Sequence, residues 1–193
     1  QRNDIETFKS KRIRKMRFTD TGILHQYYLD RASELVEKYK AKIILKTDLD
    51  NEVYASLIEG GIVGNLGRDL DITAFDIRPD LYDRAIKLNL KAHIGIGDIR
   101  EIKDVEKYDM IIDLSTLDHI NQNDAIKTIE NYQRALKKGG ILLLIVWTAE
   151  EYREADKQYF FKDIDKYLFN IIERKDDLYQ VGDDILKEFV CQK

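Results

Sequence analysis

Apolar residues along the chain fall into two alternating kinds of run. Residues 21–40 place Leu24, Tyr28, Ala32, Leu35, Val36 and Tyr39 on one helical stripe. Ile43-Ile44-Leu45 is a short β-branched run that ends in the polar Lys46-Thr47-Asp48, the pattern of a buried strand running into a loop. Residues 51–59 suit a helix, with Val53, Leu57 and Ile58 on one side and Gly60-Gly61 stopping it. Residues 72–77 read as a second strand. Pro79 then opens a helix through Asn89, with Asp80 at its positive end. Residues 92–96 and 109–114 read as the third and fourth strands. Residues 124–137 read as a helix with Ile126, Ile129 and Leu136 inward and Lys137-Lys138 near its negative end, stopped by Gly139-Gly140. Residues 141–147 are apolar on both faces, as in a central strand. A helical stretch is expected through Leu168, and residues 169–174 and 185–191 read as a closing strand pair.

Strands that alternate with helices five times predict a parallel sheet covered on both faces, and the doubly wound arrangement is the commonest such topology. Ligands on these sheets bind outside the carboxyl ends of the strands, which directs attention to the loops at Lys46, Asp76, Gly97, Asp113 and Trp147. With 193 residues, 44% of them hydrophobic and 35% charged, the chain suits one soluble domain, residues 41–193, preceded by a basic arm and helix over 1–40. The longest apolar run is too short to cross a bilayer, and residues 1–17 lack the apolar core of a signal peptide, so no membrane partner is expected. Cys191 is the single cysteine, which excludes an internal disulfide or thiolate cluster and suits a reducing cytoplasm. A net charge of −4 argues against broad capture of nucleic acid. Lys9, Lys11, Arg12, Arg14, Lys15 and Arg17 nevertheless cluster in the arm, which is either solvated or in contact with phosphate.

Asp76 closes the second strand. A carboxylate there either accepts from both hydroxyls of a ribose or caps the turn before Arg78-Pro79. Gly97-Asp98-Ile99-Arg100 closes the third strand, and Asp98 can accept from an adenine amine while the next backbone N–H meets a ring nitrogen. Alone, Gly-Asp is a turn; its weight comes from acids at the ends of successive strands. No HExxH, GxSxG, CxxC or P-loop pattern occurs. Asp48, Asp50, Glu52 and Glu59 have the spacing of four calcium ligands, but Val53 stands where that loop needs glycine, so the calcium reading fails.

Asp76, Gly97-Asp98, the stretch Tyr108 to Asp113, and "RALKKGGILLL" ahead of Ile145 resemble the motif series of class I S-adenosylmethionine-dependent methyltransferases. The similarity runs through residues 41–191 in element order and is sharpest from Thr73 to Trp147. It implies a Rossmann-like, doubly wound, mostly parallel seven-stranded sheet with an antiparallel closing strand, and S-adenosylmethionine as cofactor. It also implies that Asp76 and Ile77 hold the ribose, Asp98 and Ile99 the adenine, and Asp113 and Leu114 lie beside the transferred methyl. His119 falls where many members place a residue facing the acceptor; it either acts as a general base or packs its loop.

The first loop departs from the family. Lys46-Thr47-Asp48-Leu49-Asp50-Asn51-Glu52 puts lysine in the place of the leading acid and acids in the places of three glycines. Such a loop repels a pyrophosphate and suits a cationic ligand, so Thr47, Asp48 and Asp50 are expected beside the amino-acid part of S-adenosylmethionine. Methyl transfer to a small-molecule acceptor is the leading expectation. The lost glycines keep open a non-catalytic binding or regulatory module, and the basic arm keeps open an RNA methyltransferase.

Overall fold

A computed structural model describes residues 22–54, 59–67 and 69–193. The basic stretch 9–17 lies outside the described residues. The elements run α1 (Gly22–Tyr39), β1 (Ile43–Lys46), α2 (Asp50–Tyr54), β2 (Asp71–Asp76), α3 (Pro79–Lys87), β3 (His93–Ile96), β4 (Tyr108–Leu114) and α4 (Gln122–Ala135). They continue through β5 (Leu136–Thr148), β6 (Arg153–Ala155), β7 (Gln158–Phe160), β8 (Ile171–Val181) and β9 (Asp184–Gln192).

Seven strands form one sheet in the order β3-β2-β1-β4-β5-β9-β8. Neighbours from β3 through β5 pair in parallel, and β9 runs antiparallel to both β5 and β8. The doubly wound sheet with one antiparallel closing strand is thus present. One face carries α1, α3 and the segment around Ile62 and Val63. The other carries α4 with Ile99, Ile102, Phe161 and Ile164. Alternation along β5 sends Ile141, Leu143 and Ile145 into the first layer and Leu142, Leu144 and Val146 into the second, as a strand buried on both faces requires. The α1 stripe packs as its spacing predicts, with Leu24, Tyr28, Ala32, Leu35 and Val36 all buried. Arg31 fixes α1 across the closing strands: its Nε donates to the fully buried Glu188 at 2.8 Å and its Nη2 to Glu173 at 2.6 Å.

The structure corrects two expectations. The 148–168 stretch is not mainly helical: β6 and β7 form a two-stranded ladder, followed by a 3₁₀ turn at Ile164–Tyr167. Asp156 and Lys157 both have positive φ, the geometry of a two-residue hairpin turn that follows strand twist. Burial of Phe160 and Phe161 against the sheet favours that hairpin over local helix propensity. The helix before the glycine pair ends at Ala135, so Lys137 and Lys138 belong to β5 and not to a helix terminus. Gly140 is required there by close backbone packing, since a Cβ would lie 2.9 Å from Lys137 O and 3.1 Å from Tyr108 O. Between β3 and β4 lies a 3₁₀ turn, Ile99–Glu101.

The chain leaves β1 outward to β2 and β3, then returns to β4 on the other side of β1. This reversal opens a crevice between the carboxyl ends of β1 and β4.

Candidate active site

Lys46 is the last residue of β1 and faces the same layer as Ile44, where it is wholly buried. Its Nζ makes an ion pair with Asp48 and lies 3.6 Å from Glu52 Oε1. Burial works against this charge, but the attraction of Asp48 and Glu52 outweighs it and holds the lysine pKa above its ordinary value. The loop is therefore wrapped around the ammonium. Asp48 is buried and also accepts from Asn51 N at 3.0 Å and Asn51 Nδ2 at 3.1 Å. Glu52 accepts from Val63 N at 3.0 Å, while its Oε1 has no hydrogen-bond partner among the described residues. Burial drives the Glu52 pKa up to about 7, with Lys46 only partly offsetting it. Gly61 fits against this carboxylate with φ +65°, and a Cβ there would come within 2.3 Å of Glu52 Oε2.

A cleft of about 240 Å³ opens over the carboxyl ends of the strands. Asp76, Ile77, Gly97, Asp98 and Ile99 line one side of it. Asp76 is half-buried and accepts from Leu49 N at 3.1 Å and Arg78 N at 2.9 Å, so it ties the first loop to the end of β2. Each contact uses one oxygen, and a carboxylate offers about four acceptor positions. Asp98 accepts from Arg100 N at 2.9 Å and from Arg100 Nε at 3.0 Å on each oxygen. This guanidinium holds the Asp98 carboxyl below the usual carboxylate range.

The loop after β4 supplies the other side. Thr116 and His119 line the cleft beside Thr47, whose Oγ1 donates to Thr116 Oγ1 at 3.2 Å. Asp113 turns away from the cleft, fully buried, and accepts from Tyr132 OH at 2.7 Å and from Thr116 N at 2.9 Å. Its burial lifts the pKa to about 6 against those hydrogen bonds. Asp118 is equally buried and gathers Ser115 Oγ at 2.8 Å, Trp147 N at 3.0 Å and Gln158 Nε2 at 3.4 Å, which binds the β6–β7 hairpin to this loop. That hairpin brings Tyr159 to the cleft, and its turn sets Lys157 O 3.3 Å from His119 Nδ1. A carbonyl only accepts, so this contact keeps the proton on Nδ1 and leaves Nε2 with its lone pair.

The cleft thus brings together Thr47, Asp76, Ile77, Asp98, Ile99 and His119. Asp48 and Asp113 point inward, Leu114 belongs to the core, and Asp50 lies 3.6 Å from Arg78 beside the loop; none of these four lines the cleft. Sequence reasoning missed Tyr159, because its segment was read as helical. It also missed the grip of Arg100 on Asp98, although the two stand side by side in Gly97-Asp98-Ile99-Arg100.

Residues 57–144 match the sequence model of a family described as "Methyltransferase domain". Comparison with curated protein sequences gives no match. The N-methyltransferase NodS of Bradyrhizobium japonicum WM9 superposes with a TM-score of 0.68 at 17% identity, over 91% of this chain and 99% of that one. An S-adenosylmethionine-dependent methyltransferase of Clostridium acetobutylicum superposes at 0.65 and 15% identity, over 98% and 97%. The 1,6-didemethyltoxoflavin-N1-methyltransferase of Burkholderia thailandensis, solved with 1,6-didemethyltoxoflavin and S-adenosylhomocysteine, superposes at 0.63 and 12% identity, over 86% and 78%. At these identities the structural likeness is one of fold. The domain match, the strand order and the motifs at the strand ends are similar to those of class I S-adenosylmethionine-dependent methyltransferases, whose fold this chain has.

The donor set fits the cofactor of that class. Carboxylates at the ends of β2 and β3 suit ribose and adenine, and the acidic surroundings suit a ligand that carries sulfonium and ammonium charge. No helix of the described residues is long and apolar enough to cross a membrane.

The buried acids set a pH dependence. Glu52 binds its proton more tightly folded, near pH 7, than its ordinary value of 4.5 allows unfolded. The stability this contributes is complete below about pH 4.5 and is lost as pH rises through 7, on the order of 3 kcal/mol in all. Asp113 acts in the same sense up to about pH 6. In urea unfolding between pH 4.5 and 8, Glu52→Gln should lose less stability than the wild type as pH rises. Parallel curves for the two proteins would contradict the assignment.

Proposed function

We propose that the protein transfers a methyl group from S-adenosylmethionine to a small-molecule acceptor, with His119 as the base that faces the acceptor. The observation that carries this reading is the convergence, in one cleft, of Asp76 and Asp98 from successive strands with His119 from the loop after β4. When bound, the cofactor supplies an electrophilic methyl on sulfur. In this reading the free acceptor positions of Asp76 take the ribose hydroxyls, and Asp98 with Ile99 takes the adenine edge. Thr47 and Thr116 lie nearer the amino-acid part of the cofactor. Asp48, Asp50, Asp113 and Leu114 act there through the shape and charge of the loops, since they stand behind the lining.

His119 Nε2, left with a free lone pair by the Nδ1 contact, takes the proton that the acceptor loses as its bond to carbon forms. Asp118 stands behind His119 and anchors the hairpin that supplies both Lys157 O and Tyr159, so the site is closed on this side by the 148–161 segment. The small cleft, with no broad basic surface in its lining, favours a small acceptor over RNA. The named activity of the Burkholderia thailandensis neighbour, on a small heterocycle, supports the same class.

Two measurements test this. Asp76→Ala should weaken S-adenosylmethionine binding by about tenfold or more in calorimetry, the loss expected of a charge-assisted contact of about 1.5–3 kcal/mol. Unchanged affinity would remove the ribose assignment. His119→Asn should lower kcat by about 10²-fold or more with cofactor affinity within about twofold of wild type. Wild-type turnover in that variant would mean that His119 only packs its loop.

A further inference from the structure

Asp98 is the carboxylate assigned to the adenine amine, yet its acceptor positions are already taken from within the chain. Arg100, two residues on, donates its backbone N and its Nε to Oδ1, and its Nε and Nη2 to Oδ2. A carboxylate has about four such positions, so little remains for an incoming amine. The side chain of Arg100 is 46% exposed and that of Asp98 only 16%, so the guanidinium covers the acid from the solvent side. Arg100 itself lines the cleft, whose 240 Å³ is smaller than the ~300–1,000 Å³ usual for small-molecule sites.

A second acceptor stands within reach. Arg100 Nη1 is 3.7 Å from Asp124 Oδ2 in the first turn of α4, and Asp124 lines the same cleft. Asp124 is held by the Asn121 cap, with Asn121 Nδ2 donating to its Oδ2 at 2.9 Å, so it presents a fixed carboxylate. Asn131 Nδ2 meanwhile holds Arg100 O at 3.2 Å, which fixes the backbone and leaves the side chain to move about it. The guanidinium therefore has two anionic partners, both of which line the cleft. Only one of them is wanted by the ligand.

We propose that Arg100 is an internal competitor for the adenine-recognising carboxylate, and that it transfers its guanidinium from Asp98 to Asp124 when the cofactor binds. Arg100 is then a residue that sets cofactor affinity without adding to it: it keeps Asp98 paired in the free protein and must release it at a cost. The proposal rests on the S-adenosylmethionine reading of the site. Its sign is opposite to that of an ordinary lining residue, whose removal weakens binding.

The test is calorimetry of wild type, Arg100→Gln, Asp124→Asn and the double variant with S-adenosylmethionine and, separately, S-adenosylhomocysteine. Arg100→Gln should tighten both ligands by about two- to fivefold, the scale of an exposed ion pair that no longer has to be broken. Asp124→Asn should weaken binding in the wild type by a few-fold and have no effect in the Arg100→Gln background, a non-additive cycle. Weaker binding by Arg100→Gln would overturn the proposal and make Arg100 a cover for adenine. Equal effects of Asp124→Asn in both backgrounds would overturn the transfer to Asp124. Absence of binding by the wild type itself would instead defeat the cofactor reading, and this proposal with it.

Discussion

A single buried ammonium organises the first loop and the cleft beside it. Lys46 projects from the end of β1 into the layer beneath α1, where an isolated charge would be several kcal/mol unfavourable. Two acids answer it, Asp48 directly and Glu52 at 3.6 Å. That requirement turns Asp48 and Glu52 of the first loop inward. The conformational freedom of glycine reappears one step away, at Gly61, where the chain passes against Glu52. Burial, offset only in part by Lys46 at Glu52 and by hydrogen bonds at Asp113, explains why these two acids hold their protons to unusually high pH.

The cleft outside this network is built from two pairs of loops with different tasks. The β2 and β3 ends present Asp76 and Asp98, and Asp76 is also the link that holds Leu49 and thus the first loop in place. The β4 end presents Thr116 and His119, with Asp118 binding the hairpin of β6 and β7 to it. The first loop and the β4 loop are joined through Thr47, Thr116 and Asp48, so a disturbance at Lys46 reaches both halves of the site. Nothing in this frame prescribes a particular acceptor, which is why related folds serve many of them.

The sheet was legible because its strands carry unambiguous patterns: β5 is apolar at every position from Ile141 to Trp147, and α1 has a clean stripe. The place of Asp76 and Asp98 in the cleft was legible because acids at the ends of successive strands are set by topology. What was not legible depended on contacts distant in sequence. The acids of the first loop read as facing a cationic ligand, whereas the cation that Asp48 and Glu52 meet is Lys46 of the same loop. The hairpin of β6 and β7 was hidden because its turn is Asp156-Lys157, without the glycine that usually marks positive φ, and because burial of Phe160 and Phe161 decides it. The strand role of Lys137 and Lys138 followed from backbone packing at Gly140 against β4, which no local pattern announces.

The most direct test of the central role of Lys46 is the unfolding free energy of Lys46→Met, measured in urea beside the double variant Lys46→Met/Asp48→Asn. Removing the cation alone leaves buried carboxylates unpaired and should destabilise the protein by about 3–5 kcal/mol. The double variant should regain a substantial part of that loss, because asparagine keeps an acceptor for Asn51 without the charge. A single variant within about 1 kcal/mol of wild type, or a double variant less stable than the single one, would contradict the account.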